Sequence, residues 1–157
     1  MLNYLFTSKK NKTMNDSQNI KIFLVDDDAL FLRALEIDFL QHGDFTIETF
    51  ATGEDCVKKL AQNPDIIILD YQLDGIEKKA INGIETLDRI KAKNPKTPVI
   101  MLSSQDKIEV AIDCMHHGAV DYVVKSETAF MRLQGIIDRV FKFQKIEKQL
   151  SWYMERM

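Results

Sequence analysis

IIILD, residues 66–70, is four apolar residues closed by an aspartate. A short continuous apolar run fits a strand covered on both faces, as in a parallel sheet; a strand half in water alternates instead. Working outward, the same sign recurs. Ile22-Phe23-Leu24-Val25 runs into Asp26-Asp27-Asp28, and Val99 to Leu102 runs into Ser103-Ser104. Phe45 to Phe50 and Val120 to Val124 read as two further strands, the second ending at Lys125. Between these runs the period becomes helical. Ala29 to Gln41 sets Leu30, Ala34, Ile37 and Leu40 at helical spacing, with His42-Gly43 as the stop. Gly53 to Ala61 is predicted as a helix with Val57 and Leu60 inward, ended by Asn63-Pro64. Asn82 is placed to cap a helix from Gly83 to Lys93 that turns Ile84, Leu87 and Ile90 to one side. A helix from Asp106 to His117 ends at Gly118, and the last begins near Thr128 and reaches Leu150 or beyond. Strand and helix thus alternate strictly, five pairs in all. That order predicts an α/β protein, a doubly wound (βα)5 fold with a parallel sheet and right-handed crossovers.

Composition narrows the function. The 157 residues suit one domain and are tight for two. Hydrophobic residues make up 45%, ordinary for a packed fold and above a disordered chain. The formal charge of −3 disfavours a long nucleic-acid footprint, which is normally basic. Cys56 and Cys114 show no CxxC spacing, so neither a disulfide framework nor a zinc site is expected; both read as packing. Apolar runs of four residues fall far short of a membrane span, and MLNYLF, residues 1–6, is too brief for a signal-peptide core. A soluble, cytoplasmic domain is expected. Residues 1–19 are polar and without period, and are expected to form a flexible tail.

In open α/β sheets, ligands bind beyond the carboxyl ends of the strands. Here those ends carry Asp26-Asp27-Asp28, Asp70, Ser103-Ser104 and Lys125. Carboxylates gathered in a small space raise each other's pKa values, and a hard divalent cation such as Mg²⁺ removes that conflict. Metal, hydroxyl and ammonium together suit a phosphoryl group, whose oxygens they neutralise. One carboxylate is then the nucleophile. Asp70 is the candidate, alone at the end of the most apolar strand. Taken singly, each residue has a blander reading. A strand-end aspartate is often a turn residue, Asp28 reads equally as a helix N-cap, Ser104 as a turn residue, and an isolated lysine as a solvated one. Coincidence at four strand ends is the weaker explanation.

FLVDDD (23–28), IIILDYQ (66–72), NGIETL (82–87), PVIMLSS (98–104) and GAVDYVVK (118–125) share their order and spacing with a known family. From Ile20 to about Phe143 the chain resembles the receiver domain of two-component response regulators. The resemblance implies a flavodoxin-like strand order, 2-1-3-4-5, and a receiver over residues 20–144. It implies that Asp70 accepts a phosphoryl group from a sensor histidine kinase or phosphotransfer protein in a Mg²⁺-dependent step. Asp26 and Asp27 match the acidic pair, with Asp27 the direct metal ligand, and Gln72 falls where a backbone carbonyl reaches the metal. Ser103 matches the switch hydroxyl, Lys125 the lysine that pairs with phosphoryl oxygens, and Tyr122 the aromatic switch. The resemblance makes the chain a signalling module with no catalytic activity beyond self-phosphorylation and self-dephosphorylation.

This sequence departs from the family pattern in three places. The triple aspartate leaves two registers, one residue apart, for the acidic pair, and the arginine often found after it arrives late, at Arg33. The loop from Asp70 to Asn82 is longer than usual, with Asp74 where proline often lies. Lys125 is followed by Ser126 instead of proline. The family's lysine–proline peptide is typically cis, and a non-proline cis bond costs ~2.5–4 kcal/mol, so a trans peptide is expected here. Two other readings stay open. A pseudo-receiver would bind proteins without being phosphorylated. A haloacid-dehalogenase-type phosphatase would also use a strand-end aspartate and Mg²⁺, but it looks for a second acid where this chain has Gln72.

His42, His116 and His117 suit helix C-termini, where imidazolium complements the dipole. Past the sheet, Leu133, Ile136, Val140, Phe143, Glu147, Leu150, Met154 and Met157 continue a four-three pattern. Residues 145–157 are expected to extend the last helix or form a linker. Leu150, Trp152, Tyr153 and Met154 lack an obvious core partner, which suggests a homodimer, an output partner or a frayed end. No direct nucleic-acid or membrane contact is expected.

Overall fold

The strand order is β2-β1-β3-β4-β5, all parallel, in a computed structural model that describes residues 19–75 and 79–157. The strands are β1 (Ile20–Val25), β2 (Phe45–Phe50), β3 (Ile66–Asp70), β4 (Val99–Ser103) and β5 (Asp121–Val124). The helices are α1 (Ala29–His42), α2 (Gly53–Lys58), α3 (Gly83–Lys93), α4 (Ile108–His116) and α5 (Ala129–Arg156). This is the doubly wound, flavodoxin-like (βα)5 arrangement. The tail expected over residues 1–19 lies, up to residue 18, outside the described residues.

Period-two alternation in β1, β3 and β4 divides the core. Phe23, Val25, Ile67, Leu69, Val99 and Met101 face Cys56, Val57, Leu60, Leu87, Ile90 and Cys114 from α2, the turn after it, α3 and α4. Ile22, Leu24, Ile66, Ile68, Ile100 and Leu102 face Leu35 and Phe39 of α1 and Leu133, Ile136 and Ile137 of α5. Each fully buried Ile, Leu or Phe contributes ~1.5–3 kcal/mol of transfer free energy, so both helix layers are pulled onto the sheet. Phe39 stacks edge-on with Phe130 at 5.0 Å, joining α1 to α5.

Two expectations are corrected. The inward stripe of α1 is not Leu30, Ala34, Ile37 and Leu40. Leu35 and Phe39 are buried, with Phe31 and Leu32 packed beside them, while Leu30 is 85% exposed. ALFLRALEIDFL carries apolar residues on several faces, and the aromatic anchors, not spacing, chose the one that docks. The helix read from Gly53 to Ala61 ends at Lys58 and passes into a 3₁₀ turn, Leu60–Gln62. Asn63 closes that turn in the left-handed region, φ 53°, still placing Val57 and Leu60 inward. Gly118, φ +101°, ends the α4 turn where a side chain would be strained.

Candidate functional site

Three loops are tied down at the carboxyl edge of the sheet. The Asp26 N–H donates to Phe50 O (3.0 Å), Tyr71 N–H to Leu102 O (2.8 Å) and Lys125 N–H to Ser103 O (2.8 Å). Each bond extends strand pairing one residue past the ladder, so the side chains beyond it project from a fixed backbone. Asp28 caps α1 by accepting from the Leu30 and Phe31 N–H groups, which leaves Asp26 and Asp27 to face the site. Gly83 opens α3 hard against β3. A Cβ there would come within 2.4 Å of Asp70 O and 2.6 Å of Tyr71 Cα, so only glycine allows this approach.

Asp26, Asp27 and Asp70 each offer a carboxylate oxygen, and these lie within 4.8 Å of one another. Asp26 and Asp70 are only 2% and 3% exposed. Lys125 Nζ sits 2.8 Å from Asp26 Oδ2 and 3.5 Å from Asp70 Oδ2. Its Nζ lies over the Phe31 ring, 4.8 Å from the centroid. Burial pushes the Asp70 carboxyl up to about 7; the charge of Asp26 adds to the rise, and Lys125 opposes it. Burial works against the Lys125 ammonium, but its contacts with Asp26 and Asp70 outweigh that, and its pKa is raised.

The donor set fits a hard cation. One lysine cannot satisfy two buried carboxylates, and Asp26 Oδ2 has no well-angled hydrogen bond despite its close ion pair. All-oxygen ligands at this spacing suit Mg²⁺ completed by water. Asp70 Oδ1 accepts from the Gln72 N–H at 3.3 Å, so the turn carrying Gln72 folds back over the acceptor carboxylate. Beside this turn Leu73 is buried, and toward the far end of the loop Glu54 Oε1 accepts from the Ile81 N–H at 2.7 Å. Asp74 points to solvent, and Arg33 pairs with Glu36 at 3.2 Å on the surface of α1. No cis peptide occurs among the described residues, so Lys125–Ser126 is trans. Ser126 makes its own turn there, accepting from the Thr128 N–H at 3.3 Å.

Ser103 is 1% exposed, and its Oγ accepts from the Gln105 N–H at 3.0 Å. The Gln105 carbonyl in turn accepts from the Tyr122 hydroxyl, and the Tyr122 ring packs on the α2–α4 side of the core. Gln105 therefore links Ser103 to Tyr122. Nothing in the sequence signals this bond, because it uses the backbone of an irregular loop. The Phe31 seat for Lys125 was likewise invisible: Phe31 is 94 positions away in sequence and reads as an ordinary helix residue.

This geometry is that of a receiver, and the match to known sequences agrees. Residues 22–138 match the response regulator receiver domain, and the chain belongs to that family. The chemotaxis protein CheY of Listeria monocytogenes is 35% identical over 119 residues, covering 74% of this chain and 95% of that protein. A protein-glutamate methylesterase/protein-glutamine glutaminase of Clostridium acetobutylicum is 37% identical over 119 residues, covering 72% of this chain. The chain spans about a third, 32%, of that relative's length. Among solved structures, the CheX–CheY–BeF3–Mg²⁺ complex of Borrelia burgdorferi aligns with a TM-score of 0.67 at 28% identity, covering 77% of this chain and 89% of that one. No helix among the described residues is long and apolar enough to cross a membrane.

Proposed function

We propose that this receiver accepts a phosphoryl group on Asp70 from a histidine kinase or phosphotransfer protein and reports it through a protein-interaction surface. The observation that carries this reading is the packing of three carboxylates within 4.8 Å, with Lys125 bridging two of them. A structural acidic cluster has no use for Asp26 and Asp70 both almost fully buried, since their mutual repulsion costs stability. Asp26, Asp27, Asp70 and the Gln72 backbone carbonyl would hold Mg²⁺, which when bound would neutralise charge on the incoming phosphoryl oxygens. The Mg²⁺ in the related Borrelia complex is consistent with that assignment.

A carboxylate oxygen of Asp70 attacks phosphorus in line. The phosphorus–nitrogen bond to the donor imidazole breaks, its electron pair stays on nitrogen, and that nitrogen is reprotonated. Lys125, already 3.5 Å from Asp70, pairs with a phosphoryl oxygen. Ser103 turns its hydroxyl to donate to another, giving up its bond from Gln105. The Gln105 carbonyl then shifts relative to the Tyr122 hydroxyl, and the packing of α4, β5 and α5 changes. Two states of one bistable surface are thereby biased by added charge.

Intact-mass measurement tests the reading. Incubation with acetyl phosphate and Mg²⁺ adds one phosphoryl group to the wild-type chain, none to Asp70→Asn, and little when EDTA is present. An Asp70→Asn protein that labels as well as wild type removes Asp70 from the role. A folded wild type that never labels leaves a pseudo-receiver as the reading.

A further inference from the structure

α5 is 28 residues long, but its buried residues, Ala129, Leu133, Ile136 and Ile137, all fall in its first third. Val140 and Phe141 make the last apolar contacts with the sheet, and every residue from 145 to 157 is exposed. The helix therefore leaves the domain with its apolar side chains uncovered. Phe143, Ile146, Leu150, Tyr153 and Met157 are each more than half exposed. Their spacing is three, four, three, four, the seam of a two-stranded coiled coil. This stripe differs from the run through Val140, Glu147 and Met154, which places a carboxylate in the seam.

With Phe143, Leu150 and Met157 at a positions, Ile146 and Tyr153 occupy d. Lys142 then stands at g and Glu147 at the following e, both exposed. In a parallel pair, g of one helix lies beside the next e of its partner. Lys142 of each copy meets Glu147 of the other, giving two symmetric ion pairs flanking Phe143 and Ile146. An antiparallel pair sets g beside g, which brings Lys142 toward Arg156 and loses that match. In the parallel pair the two-fold axis runs along the stalk, which sets both receivers at the same end. Arg156, the last g position, stacks on Trp152 at c, 3.8 Å from ring to guanidinium, and so flanks the seam without entering it.

We propose that residues 143–157 of α5 pair in parallel with a second copy of this chain, forming a short coiled coil that dimerises the receiver. The pairing does not depend on Asp70 or on Mg²⁺. Sedimentation of the full chain is expected to show a reversible monomer–dimer equilibrium. Leu150→Asp weakens it by at least ~10-fold while leaving unchanged the thermal transition at dilutions where wild type is monomeric, because Leu150 packs on nothing within the domain. Lys142→Glu and Glu147→Lys each weaken the dimer, and the two together restore it. Met157→Cys forms an intermolecular disulfide under mild oxidation, since a positions face each other only in the parallel arrangement. Cys56 and Cys114 are buried and do not compete. A chain that stays monomeric into the millimolar range overturns the proposal. So does a dimer indifferent to Leu150→Asp, or one that Met157→Cys fails to cross-link.

Discussion

Asp70 sits in a conflict that the protein itself only half resolves. Its carboxyl is pushed up to about 7 chiefly by burial, while the unfolded chain releases that proton near 3.8. The folded state therefore holds the proton more tightly. Stability from this group is fully present below about 4 and is lost as pH rises through about 7. Without metal, urea unfolding between about pH 4 and 7 is expected to show declining stability. Asp70→Asn keeps the shape without the charge, and is expected to flatten that decline and to raise metal-free stability at pH 8 by on the order of 1–3 kcal/mol. Mg²⁺ is expected to stabilise wild type more than the variant. An Asp70→Asn chain less stable than wild type at high pH would show that the carboxylate is satisfied without metal. The residue types of this site were legible from the chain alone, because an aspartate ending a wholly apolar strand has few neighbours to answer it. Phe31 and Gln105 were not, because their contacts with Lys125 and Tyr122 arise only when distant segments converge.

At the scale of elements, the strands were the readable part. Helices on both faces call for an unbroken apolar run of four residues in each of β1, β3 and β4, and that burial writes itself into consecutive residues. α1 was misread for the converse reason: apolar residues surround it, and period alone does not choose among faces. α3 and α4 carry a further detail. His117 sits at the C-cap of α4, as expected, and there it also joins two helices. Its Nδ1 lies 2.7 Å from Asp88 Oδ1 on α3, and its Nε2 3.5 Å from Asp113 Oδ1 on α4. The bond to Asp88 raises its pKa, with both carboxylates adding to the effect. A raised imidazole contributes stability below its unfolded value of 6.5 that is lost as pH climbs through the higher folded value. Asp88→Asn is expected to weaken that dependence. Unfolding curves for the two proteins between about pH 6 and 8 measure it, and identical slopes would remove the clasp from the account.

For the whole molecule, the division of α5 matters most. Its first part closes the core and its last part covers nothing in the domain, so one helix belongs to two environments. A chain ending at Gln144 is expected to keep its thermal transition within a few degrees and to take up phosphoryl as well as the full chain. It is expected to sediment as a monomer. A large loss of stability would mean that residues 145–157 support the receiver directly. By itself, the sequence determined the alternation of strands and helices, the parallel sheet and the acids, hydroxyl and lysine at the strand ends. Each of those follows from local patterning against water. Only the tertiary structure decided which face of α1 docks, how Asp28 caps a helix while Asp26 and Asp27 turn inward, and how Lys125 reaches both carboxylates across a trans peptide. Those outcomes depend on which segments meet, and packing, rather than periodicity, selects among the arrangements that the pattern allows.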